Sequence, residues 1–170
     1  MSSFISFYTN CIIFFNRITG ALAALSIVAS AIIVTEGILV RKLLGISTIW
    51  QIEASVILLI YATFVGAAHA QIDEKHLNVD LVIIHLNPKV REFILITASI
   101  ITCIICGVLA WYAWPMWLES FLRNDHSESL WAPPLWIPYF FIPFGMSLLF
   151  LQYIAYFTTK FYKIKKNITD

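Results

Sequence analysis

Charge is what this sequence has least of. Only 12% of its 170 residues are Asp, Glu, Lys or Arg, while 60% are hydrophobic; soluble domains carry about 25% charged and roughly 45–50% apolar residues. That leaves too few polar side chains to cover a water-soluble globule, so lipid is the expected solvent, in keeping with a mean hydropathy of +0.83. A net charge of +1 supplies no basic surface for a phosphate backbone, so nucleic acid is not an expected partner. Cysteine is scarce: Cys11, Cys103 and Cys106 all lie in apolar surroundings, which argues against a disulfide framework. Glycine is scarce too, and neither a phosphate-cradling glycine loop nor an internal repeat is present.

Long hydrophobic runs are what the chain has instead. Crossing the hydrocarbon takes about 20 helical residues, and four segments qualify: about 18–40, 50–70, 88–111 and 136–157. Backbone groups in lipid must be satisfied within their own segment, so these are expected to be helices of one membrane domain spanning 1–170. Ala29-Ser30-Ala31 has the look of a signal-peptidase site, but Ile32-Ile33-Val34 continues the apolar run, so cleavage is not expected. Phe4, Ile5, Phe7 and Tyr8 precede Ile12–Phe15 and are expected to form a weakly amphipathic helix at the interface.

Asn87 can cap the third helix, and Pro88 suits its first position. Trp111, Trp114 and Trp117 at its far end, with Trp131 and Trp136 beyond, mark the opposite headgroup level. Pro138 falls in the first turn of the fourth helix, and Pro143 is placed to bend it. With the N-terminus inside, the inner side holds Arg17, Lys75, Lys89, Arg91, Lys160, Lys163, Lys165 and Lys166, and the outer side Arg41, Lys42 and Arg123. The bias predicts that both termini are cytoplasmic.

Between the second and third spans lies His76-Leu-Asn-Val-Asp-Leu-Val-Ile-Ile-His-Leu-Asn-Pro. On a helix, Leu77, Leu81 and Ile84 share one face, and Val79, Val82, Ile83 and Leu86 the opposite one. A surface helix ordinarily has one apolar stripe. Two stripes over 77–86 predict an interfacial amphipathic helix on the cytoplasmic side with two apolar neighbours. One is lipid; the other is either this chain's own helices or a partner protein. His69, His76 and His85 are not at the spacing of a zinc-binding pair, so no metal is expected.

Two carboxylates fall inside the spans, Glu36 and Glu53, both near the outer face. They can pair with Arg41 or Lys42, or with a basic residue of another subunit. Neither reaches the midplane, where a transporter places its substrate site, so the chain is not expected to carry substrate alone. Cys103-Ile-Ile-Cys106 is similar to the pair used by quinone-linked membrane thiol oxidoreductases, but mid-helix cysteines lie far from water and Cys11 has no mate for a relay. That enzyme is the alternative reading. No histidines face one another across the predicted helices to hold a haem, and no other cofactor is expected.

Trp50-x-x-Glu53, then Phe64-Val-Gly66-Ala-Ala, then His76-x-x-Val79-Asp80 resembles the small membrane subunit of TRAP (tripartite ATP-independent periplasmic) transporters, the DctQ-like or Q subunit. The chain departs from the usual pattern at Ala54, where an arginine often follows the glutamate, and at Lys75, where a glycine commonly precedes the histidine. The resemblance implies a separate, non-catalytic scaffold polypeptide in the bacterial inner membrane. Its partners would be a large DctM-like membrane subunit, which holds the substrate and sodium sites, and a periplasmic substrate-binding protein. An organic acid would be the cargo: a dicarboxylate, a sialic acid or a similar compound. On that footing Glu36, Trp50, Glu53, Gly66, His76, Leu77, Asp80, Leu81 and Ile84 are candidates for the subunit interface. The small residues Gly20, Ala21, Ala23, Ala24, Ser26 and Ser30 make the first helix a candidate packing surface. Glu119, Asp125 and Glu128, in an acidic outer loop, are candidates for docking the binding protein.

Overall fold

The computed structural model describes residues 2–46, 49–71 and 88–169. They form four α-helices: α1 (Ser2–Leu44), α2 (Trp50–Ala70), α3 (Pro88–Arg123) and α4 (Trp136–Thr169). Each contains a stretch long and apolar enough to cross a bilayer, so the protein is an all-α membrane protein. The interfacial helix expected over 77–86 lies outside the described residues, and with it His76, Leu77, Asp80, Leu81 and Ile84.

Three of the helices outrun the spans that hydropathy picks out. α1 has 43 residues, about 64 Å at 1.5 Å per residue, twice a hydrocarbon core of about 30 Å. The interfacial segment expected before Ile18 is continuous with the span. No proline or glycine interrupts the chain before Gly20, so nothing stops the first turns from propagating. α1 ends where it does because Gly45 adopts φ 68° and returns its N–H to the Arg41 carbonyl at 3.2 Å, a left-handed stop that glycine makes without Cβ strain. α3 runs to Arg123 with Pro115 inside it. α4 carries Pro143 inside it, almost fully buried.

The helices lie in the order α1, α2, α4, α3, with α1 also reaching α4. α1 and α2 run antiparallel along a line of residues seven apart on α1: Asn16, Ala23, Ser30 and Gly37. The first three are buried. A seven-residue repeat keeps one face turned to a partner when helices wrap left-handedly. A Cβ added at Gly20 would collide with the His69 ring; one at Gly66 would sit 3.0 Å from the Ala23 Cβ; and one at Gly37 would meet the Gln51 side chain at 2.7 Å. Ser30 Oγ donates to the Ser55 carbonyl at 3.3 Å. Gly20, Ala23, Ser30 and Gly37 therefore pack on α2 of the same chain, whereas Ala21 and Ala24 are exposed and Ser26 bonds back to the Leu22 carbonyl at 2.8 Å.

α4 is the hinge of the assembly. Against α2, Gly145 lies so close to Phe64 that a Cβ would strike the Phe64 carbonyl, and Tyr61 meets Phe141 edge-on with centroids 5.1 Å apart. Against α3, Trp117 packs on Phe140 at 5.5 Å, Phe121 on Trp136 at 5.7 Å, and Trp114 donates to Ser147 Oγ at 3.2 Å. These rings occupy one end of α3 and α4, as the tryptophan spacing anticipates. Gly145→Ala forces two backbones apart and is expected to lower stability by about 1–3 kcal/mol. Gly107→Ala should cost less, because its Cβ would meet only the Phe150 ring, at 3.1 Å. Melting temperatures of the two variants in mild detergent check the ranking.

Candidate functional site

Polar groups are rare enough in this chain that each buried one has to be accounted for. Near the α2 C-terminus, Asn16 and Gln152 are both buried, and Asn16 Nδ2 donates to Gln152 Oε1 at 2.9 Å, joining α1 to α4. One turn on, Thr19 offers its carbonyl to the Tyr61 hydroxyl at 3.4 Å. Tyr153 donates to Gln71 Oε1 at 3.0 Å, joining α4 to the end of α2. His69 packs on Gly20. Asn16 Oδ1 and His69 Nδ1 are enclosed here without a hydrogen-bond partner among the described residues. Where no water competes, amide hydrogen bonds between helices act as clasps, each worth on the order of 1 kcal/mol.

The opposite end carries the carboxylates. Glu36, exposed on α1, accepts a hydrogen bond from Gln51 Nε2 on α2. Glu53, in the first turn of α2, accepts from Ser127 Oγ at 3.3 Å. Ser127 belongs to the α3–α4 connection, which folds back on itself: Ser127 N–H bonds the Pro133 carbonyl at 3.0 Å and Leu135 N–H the Asp125 carbonyl at 2.9 Å. Asn124 and Ala132 take positive φ, 52° and 46°, at its two bends. Among the described residues the only ion pair is Arg123 with Glu119, at 2.5 Å and one turn apart. Arg41 and Lys42 are paired with neither Glu36 nor Glu53.

The candidate interface residues thus have different surroundings. Trp50 is exposed. Gly66 faces Ala23 of its own chain. Asp125 and Glu128 lie on the folded connection, and Glu128 is exposed. Cys103 and Cys106 are free thiols on α3, the latter buried. Among the described residues no group of three His, Cys, Asp or Glu side chains is placed to hold a metal ion. Sequence reasoning looked for charges and passed over Asn16, Gln51 and Gln152. The available signal was an amide inside an apolar stretch, which lipid tolerates only with a partner. Removing either half of the Asn16–Gln152 clasp, by Asn16→Ala or Gln152→Ala, is expected to cost about 1–2 kcal/mol. The double variant should lose less than the sum, which a double-mutant cycle of thermal unfolding in detergent measures.

Along their spans the helices expose mostly apolar side chains. α1 bears an open groove of about 580 Å³ lined by Ile27, Val28, Ala31, Ile32, Leu39 and Glu36 among others. Leu25, Ile38 and Leu43 beside it are more than half exposed. What the arrangement does chemically is hold helices together and present apolar faces to lipid or to another membrane protein.

Comparison with known proteins agrees with this picture. The family described as "Tripartite ATP-independent periplasmic transporters, DctQ component" matches residues 30–161, well over half of the chain. A similar protein is the C4-dicarboxylate TRAP transporter small permease protein DctQ of Rhodobacter capsulatus, 26% identical over 116 residues. That match takes in 68% of this chain, and the chain spans about half (51%) of the relative's length. On the family match and the four apolar helices that carry it, this chain belongs to the DctQ component family of TRAP transporters.

Proposed function

We propose that this chain is the non-catalytic small membrane subunit of a sodium-coupled TRAP importer for an organic acid. The observation that carries the proposal is the family match over residues 30–161. The geometry supports it: Asn16 with Gln152 and Glu36 with Gln51 join helices, Glu53 ties α2 to the α3–α4 connection, and α1 and α2 present long apolar faces. The chain sits in the inner membrane with both termini cytoplasmic, so that Arg41 and the α3–α4 connection face the periplasm. A large membrane subunit carries substrate and sodium and packs on the scaffold, where Glu36, Trp50, Glu53 and Gly66, with His76, Leu77, Asp80, Leu81 and Ile84, remain the interface candidates. A periplasmic binding protein delivers the acid. The name of the similar protein points to C4-dicarboxylates; a sialic acid is the other cargo class considered.

Uptake into proteoliposomes tests this reading. With the large subunit, the binding protein and a sodium gradient, labelled acid should accumulate only when this chain is present. Accumulation without it would contradict the scaffold role. Cys103→Ala with Cys106→Ala should leave uptake unchanged, whereas a thiol oxidoreductase would lose its activity. Charge reversal at Glu119, Asp125 and Glu128 should slow uptake at limiting binding protein and leave folding intact, because rim charges govern encounter rate. Unchanged uptake would remove the acidic connection from the docking surface.

A further inference from the structure

Glu53 has one oxygen too many for its surroundings. Oε1 accepts from Ser127; Oε2 is enclosed and has no hydrogen-bond partner among the described residues. The carboxylate borders a cleft of about 230 Å³ between α2, the α3–α4 connection and the start of α4. Three of the residues lining it are Pro133, Pro134 and Pro138, which have no N–H to donate. The deeper wall is Val56, Ile57 and Ile60. In such an apolar setting an unpaired acceptor is costly, and a charge pair, once formed, is little screened.

Among the described residues Arg123 is engaged by Glu119 and no basic group pairs with Glu53. Where a carboxylate is fixed by a serine at one oxygen, walled by prolines and left with its second oxygen unpaired, charge complementarity calls for a cation from outside. The depth of the cleft narrows the source. Ile60 lies about 15 Å along α2 from Trp50, well inside the apolar span Trp50–Ala70. Glu53 lies in the first turn of α2, and the cleft it borders continues from there to Ile60, so an occupant that fills the whole cleft has to lie within the membrane. We propose that the Glu53 cleft is a socket for a lysine or arginine side chain of the large membrane subunit. The inference rests on the assembly proposed above and assigns it a contact.

Two measurements test the socket. In the first, the chain is co-expressed with its large subunit and captured through a C-terminal tag in mild detergent. Glu53→Gln keeps the side-chain shape and the Ser127 contact but removes the charge, and should lower the recovered large subunit about tenfold. Ser127→Ala, which leaves the carboxylate, should lower it far less. Undiminished recovery with Glu53→Gln, while the wild type recovers the partner, overturns the socket alone. Failure of the wild-type chain to recover the partner overturns the assembly and the socket together. In the second, a benzophenone side chain replaces Val56 in the otherwise wild-type chain, so the outcome does not depend on the folding of a Glu53 variant. Photo-crosslinks to the large subunit support the socket. Crosslinks only to the binding protein or to phospholipid, whose ethanolamine headgroup is also a cation, overturn it.

Discussion

Helices in lipid cannot rely on the hydrophobic effect to find one another, because a neighbouring acyl chain is as apolar as a leucine. They hold together through close backbone approach and through polar groups that have nowhere else to go. In this chain both devices meet on the same surfaces. Gly20, Ala23, Ser30 and Gly37 let α2 settle onto α1, and Gly145 lets α4 settle onto α2. Closeness brings Asn16 to Gln152 and Ser30 to Ser55. If the small residues were larger, the hydrogen bonds would not form; without the hydrogen bonds, buried amides would oppose the packing. α4 touches each of the other three helices, so its position depends on both devices at once.

That construction suits a scaffold. A transporter that carries cargo needs a site near the midplane and a helix broken or charged to make it. Here the carboxylates stay near one end, clasped to Gln51 and Ser127. The clasp of Glu53 to Ser127 also fixes the α3–α4 connection against α2, so the acidic residues on it are displayed from a tied-down hairpin. Rings from Trp114 to Phe144 brace α3 and α4 at the same end. Rigidity of this kind fits the scaffold role proposed above.

Much of the architecture was legible in the sequence, because the limits of a bilayer act on composition directly. Four apolar runs became four helices, and α2 begins at Trp50 and α3 at Pro88, the residues at which the apolar runs were expected to start. The lengths of α1, α3 and α4 were less legible. Hydropathy marks where lipid begins and ends, whereas a helix stops only where its backbone is stopped, at Gly45 or Asn124. Pairing was least legible. Glu36 and Glu53 lie near Arg41 and Lys42 along the sequence, yet they face Gln51 and Ser127, because three-dimensional neighbours on α2 and the folded connection are closer than the next turn's cations. The run Gly20–Ala24 announced close packing without saying against what; the answer, α2, depends on the chain reversing at Gly45. Asn16 and Gln152 are 136 residues apart, and no local pattern links them.

On the function proposed above, this chain is built to be one half of a membrane pair. The most direct check is the mass of the particle it forms. Native mass spectrometry of the co-expressed subunits, released from lipid nanodiscs, should show one copy of this chain bound to one copy of the large membrane subunit. A spectrum of the free chain, or of its homo-oligomers, with the large subunit appearing separately would contradict it.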